Sequence, residues 1–138
     1  MIILDTNVIS ELMRAEPNPS VLKWIDAQKT NNLAITAIAI AEIQRGILRL
    51  PKGKKRNILN KNFLEFVENA FVGRVLSFDE KSAYLYGKIA SEREKLGFNT
   101  DAVDLMIAAI TKNNKASIAT RNVKDFKDCG VKIINPWG

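Results

Sequence analysis

Short, nearly unbroken apolar runs recur along the chain, separated by segments long enough for helices. They fall at 2–4, 33–36, 75–78, 117–120 and 132–134, with Asp, Asn or Gly beside most of them. A strand with one face in water alternates apolar and polar residues, whereas a strand covered on both faces does not. These runs therefore predict a central parallel sheet with helices on its faces. Between them, apolar residues keep helical spacing. Helices are expected at 8–13, at 21–27 with Ser20 as cap, at 37–50 before Pro51, and at 54–70. Two more are expected from Asp79 to about 96, with Gly97 as the stop, and at 101–113. The alternation of strand and helix makes the fold class α/β.

No repeat or linker breaks the 138 residues, so one domain over 1–138 is expected. The chain has no histidine, which excludes Ser-His-Asp hydrolases, His-based nucleases and His-ligated zinc. Its one cysteine, Cys129, excludes an intrachain disulfide and a thiolate zinc site and is read as incidental. The start turns acidic at Asp5, too early for a secretory leader, and the run at 33–43 contains Thr36 and Glu42. A cytoplasmic protein with no membrane span is expected. The formal charge of +6 favours a polyanionic partner, nucleic acid first.

Against that basic background, four acids interrupt apolar surroundings. Asp5 ends the first strand, Glu42 lies within an Ile/Ala-rich helix, Asp104 lies in a helix apolar nearly all round, and Asp125 follows the fourth strand. Ionised carboxylates are costly to bury unpaired. All four map to the carboxyl edge of the sheet, where α/β folds bind their ligands. Two carboxylates ~4 Å apart repel by about 4 kcal/mol at an effective dielectric near 20. Their convergence calls for protons or a cation, and an oxygen-only donor set selects Mg²⁺ or Mn²⁺. Taken singly, each acid also has an ordinary role open to it. Asp5 suits a helix cap, Glu42 a pair with Arg45, and Asp101-x-x-Asp104 a helix N-terminus. Asn122-x-x-Asp125 suits a capping box.

Together, Asp5-Thr6-Asn7, Ala41-Glu42-Ile43, Asp104-x-x-Ile107-Ala108-Ala109 and Thr120-Arg121-Asn122-x-x-Asp125-Phe126 resemble the PIN-domain ribonucleases. The resemblance spans the chain to Asn135-Pro136-Trp137. It is nearest to VapC-type toxins and, through Ser10-Glu11-Leu12-Met13-Arg14, to their FitB-like branch. It implies a three-layer α/β/α domain with four or five short parallel strands, and RNA hydrolysis with Mg²⁺ or Mn²⁺. It casts Asp5 and Asp104 as principal ligands, Glu42 as a direct or water-mediated ligand that orients water, and Asp125 as completing the site. Asn7 and Thr120 are implied to hold Asp5, and Asn122 to shape the turn carrying Asp125. A homodimer and a cognate antitoxin that blocks the site are implied partners. Asp101 is an extra acid, read as a cap.

No acid occurs between Ile43 and Leu64, where Arg45, Arg49, Lys52, Lys54, Lys55, Arg56 and Lys61 are found. Such a stretch suits RNA phosphates, a protein partner or plain solvent exposure. Arg14, Arg121 and Arg45 are candidate RNA contacts. Trp24, Phe63, Phe66, Phe78 and Tyr84 are expected in the core or an interface, and Trp137 is expected to pack the tail. Two rival readings remain. A phosphatase with Asp5 as nucleophile wants an acid two residues on, where this chain has Asn7. A non-catalytic RNA- or protein-binding module of the same fold is the other.

Overall fold

A computed structural model describes all residues, Met1–Gly138. The strands are β1 (Ile2–Leu4), β2 (Leu33–Thr36), β3 (Val75–Leu76), β4 (Ser117–Ala119) and β5 (Lys132–Ile134). The helices are α1 (Thr6–Leu12), α2 (Pro19–Asp26), α3 (Ala37–Leu48), α4 (Lys54–Ala70), α5 (Glu80–Lys95), α6 (Ala102–Asn113) and α7 (Val123–Phe126). The sheet order is β3-β2-β1-β4-β5, and every pairing is parallel. The chain thus winds from β1 to one edge, returns past β1, and finishes at the other edge. The direction reverses between β1 and β4, so the crevice at their carboxyl ends is the topological switch point.

Strand pleating divides the apolar residues between two cores. Ile3, Ala34 and Ile118 face α5, α6 and α7, packing with Ile107, Ile110 and Phe126. Leu4, Leu33, Ile35 and Ala119 face the other layer, with Val8, Val21, Ile43 and Phe63. Helices on both faces make three layers, as expected. No helix is long and apolar enough to cross a membrane.

The helix ends explain where the expected boundaries shift. α1 starts at Thr6 because Asp5 is its cap, with Oδ1 accepting the Thr6 N–H at 2.8 Å. α2 is capped by Asn18 and not by Ser20: Pro19 takes the first helical position, and Asn18 Oδ1 accepts the Ser20 N–H at 2.9 Å. β3 keeps two residues of the expected four, because Asp79 already caps α5 through the Ser82 N–H. α5 ends as foreseen at Gly97, with φ +83°. There the Phe98 N–H reaches Arg93 O and the Gly97 N–H reaches Glu94 O, the pair of bonds that closes a Schellman turn. Phe63 lies in the core, with Trp24 and Phe66 packed against one core cluster and Phe78 against the other. Tyr84, expected in the core or an interface, is not in the core: it is 75% exposed on the outer face of α5.

Candidate active site

The switch-point crevice is built by loops that leave β1 and β4 side by side. The Asp5 N–H bonds Ala119 O at 2.9 Å, which locks the two strand ends together. Asp5 is almost fully buried. Its Oδ2 accepts the Thr120 hydroxyl at 2.7 Å and the Asn7 amide at 3.1 Å. The Asn7 amide also reaches Thr120 Oγ1 at 3.1 Å, and the Asn122 N–H donates to the same oxygen at 3.0 Å. Asn7 Oδ1 accepts the Arg121 N–H at 3.1 Å. Asp5 is therefore a helix cap and the hub of the crevice at once. A carboxylate so engaged is a poor nucleophile, which disfavours the phosphatase reading.

Glu42 enters from the second turn of α3. Its Oε1 accepts the Thr6 hydroxyl at 2.6 Å, and it makes no ion pair with Arg45. Asp104 enters half-buried from the first turn of α6 with no ion pair. Asp5, Glu42 and Asp104 line one cleft of about 490 Å³, together with Thr6, Asn7, Ser10, Glu11, Arg14, Arg121, Asn122 and Trp137. Residues far apart in sequence thus share one concavity. The acids are not drawn into a ready cluster, because no three of them stand close enough to chelate an ion directly.

Asp125 and Arg45 differ from the others. Asp125 lies half-buried on α7, outside the cleft lining, yet near enough for its charge to act on Asp104. Arg45 is exposed on α3 and away from the cleft. Asn122 precedes α7 but gives it no side-chain cap. Asp101 caps α6, accepting the Val103 N–H at 2.8 Å. Arg14 and Arg121 are on the cleft, and the Arg121 guanidinium lies over the Trp137 ring, 5.3 Å from its centroid. Sequence reasoning missed Thr6 and Glu11. Glu11 is buried and held by Arg14 at 3.0 Å and by the Asn18 N–H at 3.1 Å. The readable signal was the polar stripe Thr6, Asn7, Ser10 and Glu11 along one side of α1, continued by Arg14 just past its end.

Electrostatics sets Asp104 apart. Burial, followed by the negative charges of Asp5, Asp125, Asp101 and Glu42, pushes its carboxyl up to about 7. Burial also raises Asp5, but hydrogen bonds from Thr120, Thr6 and Asn7 work against that rise. A cleft with oxygen donors only and an excess of negative charge suits a hard divalent cation. Mg²⁺ keeps several waters and takes one or two carboxylates directly, which fits acids that share a cleft without touching.

Fold and crevice define the class: a doubly wound α/β domain with an oxygen-only acidic cleft at its switch point. The chain belongs to the PIN domain family, matching it over residues 2–132. It is 41% identical to the VapC ribonuclease Y4jK of Sinorhizobium fredii over 99% of this chain and 98% of that one. It is 39% identical to the toxin FitB of Neisseria gonorrhoeae over 99% of both chains. The crystal structure of FitAcB from Neisseria gonorrhoeae superposes with a TM-score of 0.90 at 39% identity, covering 99% of both chains.

Proposed function

We propose that this chain is a metal-dependent endoribonuclease, the toxin of a toxin–antitoxin pair, acting in the cytoplasm as one domain over 1–138. The observation that carries the reading is the shared cleft of Asp5, Glu42 and Asp104 at the switch point. Relatives named as ribonuclease and as toxin, similar along their whole length, support it. A homodimer bound by a cognate antitoxin is the assembly we infer.

Asp5 and Asp104 are the ligands for Mg²⁺ or Mn²⁺, with Glu42 and Asp125 contributing directly or through water. When bound, the ion supplies positive charge and Lewis acidity for phosphodiester hydrolysis. The protein's own groups do the rest. Thr120, Asn7 and the Thr6 N–H hold Asp5 in one orientation. The Thr6 hydroxyl fixes one oxygen of Glu42, which leaves the other to accept a proton from the attacking water. Arg14 and Arg121 meet RNA phosphates at the cleft rim, while Asn122 shapes the turn toward Asp125.

The test is cleavage of a mixed RNA pool by purified protein with Mg²⁺ or Mn²⁺. Activity that stops with chelator and disappears in Asp5→Asn and Asp104→Asn is expected. Metal-independent activity, or full activity in both variants, overturns the site. RNA bound but never cut returns the chain to the non-catalytic binding module.

A further inference from the structure

We propose that Arg93 is a positioning residue of the acidic cleft, one that holds the segment carrying Asp125 in register with the helix carrying Asp104. The proposal rests on the role assigned to those acids above. Arg93 stands in the last turn of α5, is 3% exposed, and has no carboxylate partner, since the ion pairs of the molecule are Arg14–Glu11 and Lys61–Glu65. Buried charges are ordinarily paired, so a buried guanidinium held by neutral groups alone requires a reason. The Schellman turn at Gly97 sets its surroundings, folding Phe98 back so that its ring lies 4.4 Å from the guanidinium carbon.

The reason lies in what the guanidinium bridges. On one side, Nε and Nη2 donate to Thr100 Oγ1 at 2.9 and 2.6 Å. Thr100 immediately precedes Asp101, the cap of α6, and Asp104 follows within the first turn of that helix. On the other side, Nη1 donates to Lys127 O, and Nη2 lies 3.4 Å from Lys124 O. Those two carbonyls flank Asp125. One side chain therefore joins the two segments that bring Asp104 and Asp125 together.

α7 depends on this arrangement more than a longer helix would. Four residues are too few for a helix to stand by its own hydrogen bonds, and Asn122 supplies no side-chain cap. Its carbonyls can be accounted for one by one. Val123 O takes the Lys127 N–H, Phe126 O the Cys129 N–H, and Asp125 O the Cys129 thiol at 3.9 Å. Lys124 O and Lys127 O are left, and both go to Arg93. A planar fork reaches Thr100 and both carbonyls at once, whereas the point-like ammonium of lysine does not.

The discriminating experiment uses Arg93→Lys, Thr100→Val, Asp125→Asn and the double variant Arg93→Lys/Asp125→Asn in the full chain. Amide hydrogen exchange is read alongside steady-state RNA cleavage and the Mn²⁺-dependent rise in Tm. In Arg93→Lys, exchange at 123–129 should accelerate at least tenfold while the amides of β1 and α3 keep wild-type rates. The Mn²⁺ concentration giving half the Tm rise should increase severalfold, and kcat should fall about tenfold with KM unchanged. The double variant should cleave no more slowly than Asp125→Asn alone, because Arg93 acts through the acid already removed. Thr100→Val, which keeps Arg93 and loosens only one side of the bridge, should move kcat the same way, and it decides the matter if Arg93→Lys does not fold. Uniform acceleration of exchange across the molecule, or losses that multiply in the double variant, overturns the proposal in favour of a general stabilising role. If wild-type protein cleaves no RNA, the functional reading fails, while exchange at 123–129 and the Mn²⁺ shift still decide whether Arg93 positions the segment.

Discussion

The two sides of the cleft hold their acids in opposite ways. At the end of β1, Asp5 is buried and met by three donors: the Thr6 N–H, the Thr120 hydroxyl and the Asn7 amide. At the start of α6, Asp104 has no ion pair and faces the charges of four other acids. The first side has its carboxylate oxygens met by the protein, although burial and the charge of Glu42 still raise the Asp5 carboxyl. The second is electrostatically unfinished, and its deficit is one that a cation corrects. In the proposed function, binding energy for a metal comes chiefly from relief at Asp104, and its placement chiefly from the hydrogen bonds around Asp5.

The largest effect that tests this contrast is on catalysis. Asp5→Asn and Asp104→Asn should each lower single-turnover cleavage by at least about 10²-fold, the scale for losing a charge-stabilising group. Stability should then separate them. Asp5→Asn turns an amide N–H toward either the Thr6 N–H or the donors of Asn7 and Thr120, and should cost about 1–3 kcal/mol in denaturant unfolding. Asp104→Asn should gain about 1–2 kcal/mol at pH 8, after allowance for the half exposure of the side chain. The sign follows from linkage. The native Asp104 carboxyl is raised to about 7, so the folded state binds a proton more tightly than the unfolded chain. Native stability is therefore undiminished below the ordinary value of 3.8 and is lost as pH climbs toward about 7. The advantage of Asp104→Asn should fade toward pH 4, and a constant advantage at all pH values contradicts the electrostatic account.

A third test adds metal. Mn²⁺ at ten times its Kd should stabilise the wild type by about 1.4 kcal/mol, seen as a higher Tm, and should barely move Asp104→Asn. The smallest expected effect concerns Glu42. Thr6→Val removes the hydroxyl that holds Oε1 and should cost about 0.5–1.5 kcal/mol of stability, with a severalfold drop in kcat. An unchanged kcat would show that the Thr6 hydrogen bond has no part in orienting Glu42.

Much of this contrast is visible in the amino-acid order because buried strands and misplaced acids are both costly and therefore conspicuous. Asp5 and Asp104 are legible since each interrupts apolar segments at a strand or helix end. What escapes is decided by tertiary contacts. Asp125 belongs to a one-turn helix whose orientation is set by Arg93 and Phe126, so its spacing from Thr120 does not reveal that it lies outside the cleft lining. Glu11 stands in the sequence only as part of a motif, and its burial shows once the Asn18 N–H and Arg14 are seen to surround it. β3 is short because a cap interrupts it at Asp79, a competition between neighbours that β propensity alone does not settle. Tyr84 sits on the exposed side of α5, and its aromatic character gives no hint of which way it points.

The bond between Asp5 and Thr120 spans 115 residues of chain. During synthesis, the middle strand leaves the ribosome ahead of its neighbour on the far side and waits for it while the intervening residues are made. A nascent or prematurely terminated chain therefore lacks the lattice that orients its first acid.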